Sequence, residues 1–439
     1  MIPILTGAAM READAHASAL TGTDALVGLA GTAVALNAQR LLRGCYGKRV
    51  CVIAGPGLNG ADGRIAASRL KSRGANVDIV GWNQLPRLLR EYDLVVDAAF
   101  GLGCTRPFVA PKVSPGTLVV AVDLPSGVDA DSGDLLGEPM TASVTIALGA
   151  LKPAHLTGLA ATLTGDLQFA GLGIVTTFVD GLVEDNDLSL FCRFKHSDHK
   201  WDHAVQALVG SSLMPGAAEL VVRGAMAGGA SMIRLTSRGD VAQFVHLPPE
   251  VVHASELTVD PRCRAVVAGS GLGADASTWL RDRLTGVKCP VVLDADGLDR
   301  ALIDDLSPRD GSWVLTPHEG EFVRLTGQPL GPNRFDEVRA LAAATGCVVL
   351  LKGPTTVIAD PSGTLRVVTS GTPALANAGT GDVLSGLIAA TIARGHNVLD
   401  AASLAAHLHG RASARLTPYT SASDVVAELH KLVRELSVR

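Results

Sequence analysis

Aromatic residues are scarce, at 4% of the chain, and they form no cluster that could stack bases. No run of lysine and arginine is present, and the formal net charge is −5, so nonspecific nucleic-acid binding is not expected. The seven cysteines (Cys45, Cys51, Cys104, Cys192, Cys263, Cys289, Cys347) are an odd set without a C-x-x-C pair, which reads as free thiols in a reducing compartment. His196, His199 and His203 have metal-like spacing, but Lys200 and acidic residues lie among them and no thiolate is spaced to help. They read as solvated linker. No unbroken run of 18 apolar residues exists, and Met1-Ile2-Pro3-Ile4-Leu5 lacks a basic leader, so neither a membrane span nor a signal peptide is expected. The location expected is cytoplasmic.

What is present points to ligand loops on two cores. Glycine, at 48 of 439 residues, exceeds the usual ~7%. A chain of 439 residues is longer than the roughly 50–250 typical of one domain. The apolar rhythm breaks between residues 178 and 203, so the expected division is residues 1–188 and 189–439. The segment from Asp424 to Leu436 has helical spacing and reads as a packing helix.

In the second half, four polar motifs each follow a short apolar run, and a fifth leads into the apolar segment from Val383 to Ala390. They are Gly269-Ser270-Gly271-Leu272-Gly273, Asp294-Ala295-Asp296-Gly297-Leu298, Thr316-Pro317-His318-Glu319-Gly320-Glu321, Lys352-Gly353-Pro354-Thr355-Thr356 and Asn377-Ala378-Gly379-Thr380-Gly381-Asp382. Polar groups at successive strand ends are where open α/β sheets build sites. The last motif opens a helix whose free N–H groups suit a phosphate or an oxyanion. Asp382 is poorly suited to bind phosphate there and better suited to remove a proton from an attacking hydroxyl. Taken alone, Asp382 reads equally well as a helix cap. Lys352 and the hydroxyls after it form a candidate phosphate cradle.

In the first half, the strand-like run from Val50 to Ala54 meets Gly55-Pro56-Gly57-Leu58-Asn59-Gly60-Ala61-Asp62-Gly63 and then a helical stretch. Strand, glycine loop and helix is a nucleotide-phosphate layout. Two further runs end at Asp97, before Phe100-Gly101-Leu102-Gly103, and at Asp123, before Leu124-Pro125-Ser126-Gly127. For each aspartate singly, a strand-end cap is the competing reading.

These motifs carry a resemblance. The second half is similar to the ribokinase-like dehydratases of NAD(P)H-hydrate repair, which share T-P-H-x-G-E, K-G-x-x-T-V-I and A-G-T-G-D-V-L-x-G; D-A-D-A-L is altered here to Asp294-Ala295-Asp296-Gly297-Leu298. The first half resembles the NAD(P)H-hydrate epimerases, with G-P-G-N-N-G-G-D-G, V-V-D-A-x-F-G-x-G and V-D-x-P-S-G. The fold implied is α/β, with an N-terminal Rossmann-like three-layer αβα domain and a C-terminal ribokinase-like domain. The activity implied is repair of hydrated NADH and NADPH: interconversion of the R and S hydrates, then ADP-dependent dehydration of the S hydrate to NAD(P)H, AMP and phosphate.

The resemblance also implies roles. Asp382 and Asp123 are catalytic. Leu58, Asn59, Gly60, Ala61 and Asp62, with Gly101, Leu102, Gly103, Cys104, Thr105, Arg106 and Pro107, contact the epimerase substrate. Asn59, Asp97 and Ser126 hold potassium. Ala217, Gly271, Gly273, His318 and Asp382 line the hydrate site, and Lys352, Gly353, Pro354, Thr355, Thr356 and Gly381 hold ADP with magnesium. The partners expected are these small molecules, with neither nucleic acid nor membrane, and the chain is expected to form a homo-oligomer. Leu58 replaces an asparagine of the epimerase loop and loses a polar contact; Ala61 replaces a glycine and resists a positive φ. A small-molecule kinase, or a dehydratase with a non-catalytic first half, is the alternative.

Overall fold

Short apolar runs ending in glycine or acid build the first sheet. The computed structural model describes residues 1–177, 179–191, 199–243, 245–255 and 257–437. In it, Arg49–Ala54, Asn76–Gly81, Leu94–Ala98, Leu118–Val122, Val144–Leu148 and Asp166–Ala170 form one parallel sheet. Four of these strands are buried almost throughout, as parallel strands covered on both faces must be. Arg49–Ala54 lies between Asn76–Gly81 and Leu94–Ala98, so the order across the sheet reverses there. A crevice at the carboxyl ends of Arg49–Ala54 and Leu94–Ala98 follows from that reversal.

One face of this sheet packs Val50, Val52, Val96 and Val122 against the helices Thr23–Leu42 and Leu58–Ser72. On the other face Cys51, Ile53, Val95 and Ala121 meet Leu89, Phe108 and Met140 from the segments between strands. Thr23–Leu42 is, among the described residues, the helix long and apolar enough to cross a membrane by length and composition. Asp24, Asn37, Gln39 and Arg40 interrupt its apolar sequence. Its Val34, Ala35 and Ala38 are fully buried in the core.

The second unit holds a larger sheet. From one edge its strands run Val251–His253, Met232–Arg238, Ala204–Ser211, Ala265–Ala268, Val291–Leu293, Trp313–Leu315, Val348–Leu351, Thr356–Ala359, Leu365–Val368 and Gly181–Leu182. Pairing is parallel as far as Val348–Leu351, and the next two strands return antiparallel. The helices Pro215–Ala227, Thr380–Ala393, Val398–Ser413 and Ala422–Ser437 share one buried core with it. Pro215–Ala227 and Thr380–Ala393 cross closely: a Cβ on Gly386 would lie 2.1 Å from the Val221 carbonyl oxygen.

The division between units falls after Asp180, with residues 332–334 grouped with the first and Met1 with the second. It precedes the expected junction at residue 188 because Gly181–Leu182 pairs with Leu365–Val368. Cys192 and His196 lie outside the described residues. His199 Nδ1 is 3.2 Å from Asp202, and His203 Nδ1 is 3.2 Å from the Ala393 carbonyl. Among the described residues no cluster of His, Cys, Asp and Glu could hold a metal ion.

Candidate active sites

The sheet reversal of the first unit opens into a cavity of about 580 Å³. Gly57 ends the loop after Arg49–Ala54, and the helix begins at once with Leu58, six residues earlier than the sequence suggests. Only glycines fit this turn: a Cβ on Gly60 would lie 2.0 Å from the Gly55 carbonyl oxygen, and one on Gly55 1.8 Å from that of Ala99. Leu58, Asn59 and Asp62 reach the cavity, as do Gly101, Leu102, Gly103, Cys104, Thr105, Arg106 and Pro107. Gly60 and Ala61, also expected there, do not line it. Ala61 sits inside Leu58–Ser72 with its N–H bonded to the Gly57 carbonyl at 3.1 Å, and no positive φ is asked of it. The methyl group therefore brings no backbone strain, and Leu58 is the departure that faces the cavity.

At the cavity floor, Asp123 follows the strand Leu118–Val122 with φ +64. A non-glycine residue held in the left-handed region is strained and costs about 1–3 kcal/mol. Asp123 is fixed from two sides. Its Oδ1 accepts from Lys152 Nζ at 2.5 Å and from the Leu148 N–H at 3.2 Å. Lys152 is 1% exposed and also donates to the Leu148 and Ala150 carbonyls. His155 Nδ1 accepts from the Lys152 N–H at 2.9 Å, which leaves the ring proton on Nε2, and Nε2 donates to the Asp123 carbonyl at 2.6 Å. Burial pushes His155 down to about 4, so it stays neutral and acts as a brace. Sequence reasoning missed both Lys152 and His155. The signal was Leu151-Lys152-Pro153-Ala154-His155, a lysine four positions after the strand Val144–Leu148. It also missed Arg11, Asp14 and Ser18, which reach the cavity from one face of the helix Gly7–Thr21.

Asp97 is fully buried beside this floor. It accepts from Ser126 N–H at 2.9 Å, Ser126 Oγ at 2.6 Å and Ala99 N–H at 3.4 Å. Burial pushes its carboxyl above the usual range against the pull of those bonds. Asn59 Nδ2 is buried without a hydrogen-bond partner, and its Oδ1 is 3.0 Å from where a Cβ on Gly101 would stand. A buried carboxyl, an amide oxygen and a hydroxyl are donors that suit a hard cation.

In the second unit the site assembles around Lys352. Its ammonium lies 2.9 Å from Asp294 Oδ1 and 3.7 Å from Glu321 Oε2, and 3.4 Å from where a Cβ on Gly381 would stand. Burial works against its charge, but Asp294 and Glu321 outweigh that and raise it. The ammonium thus meets two carboxylates at the place where a phosphate cradle is expected. Gly353 and Pro354 form the exposed turn between Val348–Leu351 and Thr356–Ala359, with Thr355 half-buried and Thr356 Oγ1 3.3 Å from the Gly353 carbonyl.

Gly379, at φ +88, holds the cap position of Thr380–Ala393, so Asp382 is the third helical residue and not the cap. Burial first, and then the Asp294 carboxylate, push Asp382 up to about 6, while Lys352 pulls the other way. The first-turn N–H groups around it have no partners further back in the helix. His318 caps Glu319–Thr326: its Nδ1 accepts from the Gly320 and Glu321 N–H groups, and Glu321 accepts from the His318 N–H at 2.8 Å. Through Glu321 it is tied to Lys352. Ala217 packs on Gly271, and the Gly273 N–H donates to Asp296 at 2.8 Å. A carboxyl with a pKa near neutrality, beside a lysine and at a helix N-terminus, can accept a proton while the amides face developing negative charge.

Comparison with known proteins decides the relationship. The family model described as NAD(P)H-hydrate dehydratase matches residues 205–435, and that of the YjeF-related protein N-terminus matches residues 23–91 and 82–154. A bifunctional NAD(P)H-hydrate repair enzyme Nnr of Mycobacterium leprae is 34% identical over 427 residues, spanning 90% of this chain and 89% of the relative. The chain belongs to the bifunctional NAD(P)H-hydrate repair enzyme family. A Mycobacterium tuberculosis member is 36% identical over 384 residues, 80% of each chain. Among solved structures, the ADP/ATP-dependent NAD(P)H-hydrate dehydratase of Bacillus subtilis, co-crystallised with ATP and magnesium, is 28% identical with a TM-score of 0.53. It covers 58% of this chain and 97% of its own. The two family regions fall one in each unit.

Proposed function

We propose that the two units catalyse successive steps of NAD(P)H-hydrate repair. The second dehydrates the S hydrate, using ADP with magnesium as phosphoryl donor and yielding AMP and phosphate. Asp382 takes the proton from the ring hydroxyl as that oxygen attacks the terminal phosphoryl group. The first-turn amides of Thr380–Ala393 face the charge in transfer, and Gly381 leaves room for it. Phosphate then leaves the ring with the C–O bonding pair, the neighbouring ring carbon gives up a proton to solvent, and the double bond returns. Lys352 keeps Asp294 and Glu321 compensated and holds down the rise of Asp382. The residues expected at the nucleotide are 352–356 and Gly381. The placement of Asp382, half-buried beside Asp294 and Lys352 on the first helical turn, carries this reading.

The first unit interconverts the R and S hydrates, with Asp123 at the reacting centre and Lys152 holding its carboxylate in place. Potassium is placed by this reading at Asn59 Oδ1, Asp97 and Ser126, where it would supply fixed positive charge beside a buried carboxyl. The intact Asp123–Lys152 pair favours an active epimerase over a binding-only domain, since a strained, paired aspartate facing a cavity is arranged for chemistry. The test is separate assay of each unit's reaction in Asp382→Asn and Asp123→Ala proteins. Each substitution should stop one reaction and spare the other; loss of both together, or of neither, would overturn the assignment.

A further inference from the structure

The epimerase cavity contains an acid that the reading above does not use. Asp62, on the second turn of Leu58–Ser72, is 6% exposed and lines the cavity together with Asp123, Asp14 and Lys152. No residue described in the structure hydrogen-bonds its side-chain oxygens. Asp123, by contrast, is held by Lys152 and the Leu148 N–H, and Asp14 is only half-buried. A buried carboxyl left unpartnered at the wall of a ligand cavity is costly, unless it stays protonated and has a ligand to bond.

We propose that Asp62 is the general acid of hydrate epimerisation and works opposite Asp123; the inference rests on the epimerase reading of this cavity. Reduced nicotinamide is an enamine, so its hydrate carries the hydroxyl on a carbon bonded to the ring nitrogen. Asp62 gives its proton to that hydroxyl as the C–O bond breaks, and the oxygen departs with the bonding pair as water. The nitrogen lone pair closes a C=N bond, leaving a cation that faces the Asp123 carboxylate. Water then adds to the opposite face of the carbon and passes one proton to Asp123. Solvent returns a proton from Asp123 to Asp62, so the protons balance and only the configuration has changed.

The charged groups around Asp62 agree with this role. Asp14 comes from the helix Gly7–Thr21, and Asp123 and Lys152 from the floor; Arg11 and Arg106 also line the cavity. Arg64, on the same helix as Asp62, donates to the Gly55 carbonyl. Burial, then Asp123 and Asp14, push Asp62 up to about 8, so it holds its proton at neutral pH.

The experiment supplies one pure hydrate epimer to the full chain without nucleotide, in heavy-oxygen water, and follows both inversion and isotope uptake across pH. We expect each inversion to take up one solvent oxygen and kcat to fall as pH rises through about 8. Asp62→Asn should lower kcat by about a hundredfold or more with little change in KM, and Asp62→Glu should recover part of it. Inversion without solvent oxygen, or an Asp62→Asn protein that keeps its kcat or loses only KM, would overturn the inference while leaving the epimerase reading intact. No inversion by the unaltered protein would sink both.

Discussion

Replacing Asp382 with asparagine keeps the size of the side chain and its place on the helix while removing the proton acceptor. Gly379 holds the cap position, so helix stability should change little. Burial and Asp294 hold Asp382 at about 6, which leaves roughly nine molecules in ten ionised at neutral pH and ready to act as base. As pH falls through about 6 the carboxylate takes up a proton, so kcat/KM should drop about tenfold per pH unit on the acid side. A general base supplies about 10²–10⁴-fold, or roughly 2.7–5.5 kcal/mol of barrier at about 1.36 kcal/mol per decade. The assay is return of reduced-nicotinamide absorbance from the S hydrate with saturating ADP, measured across pH, with nucleotide affinity measured separately. Asp382→Asn should lose activity by that factor, lose the acid limb and bind nucleotide as before. Near-normal turnover, or an unchanged acid limb, would refute the assignment.

Lys352→Met removes the charge that offsets Asp294 and Asp382, so the acid limb of dehydration should move to higher pH; an unmoved limb with weaker ADP binding would return Lys352 to the phosphate role. Lys152→Met should abolish epimerisation and destabilise the first unit by about 3–5 kcal/mol, because it leaves the Asp123 carboxylate uncompensated; calorimetry reads the loss. Leu58→Asn should tighten hydrate binding by up to roughly ten- to two-hundredfold, if the new amide bonds a charged group. Ala61→Gly should bring no such gain and should weaken the helix by about 1 kcal/mol; equal gains from both would show that the loop, and not the helix, holds position 61.

The parts legible in the sequence were those written locally. Asp97, Asp123 and Asp382 each close a short apolar run or open a helix, with glycines a few positions away. The Lys152 role was not legible, because its partner Asp123 stands 29 positions earlier and only the parallel strands Leu118–Val122 and Val144–Leu148 bring them together. The Lys352 ion pair was hidden for the same reason: Asp294 is 58 positions away, and only the neighbouring strand end brings the two together. Ala61 misled because the motif was read as loop through Gly63, whereas Gly57 ends the loop and the helix starts at Leu58. The junction at Asp180 depends on a two-residue strand, Gly181–Leu182, too short to show any period.

The central claim is that both units work in sequence on one metabolite. The direct measurement gives the purified chain the pure R hydrate with ADP and magnesium and follows reduced nicotinamide to completion. The account predicts full recovery by the unaltered protein, a stall at the R hydrate with Asp123→Ala, and accumulation of the S hydrate with Asp382→Asn. Recovery that Asp123→Ala leaves untouched, or no recovery from either epimer, would contradict it.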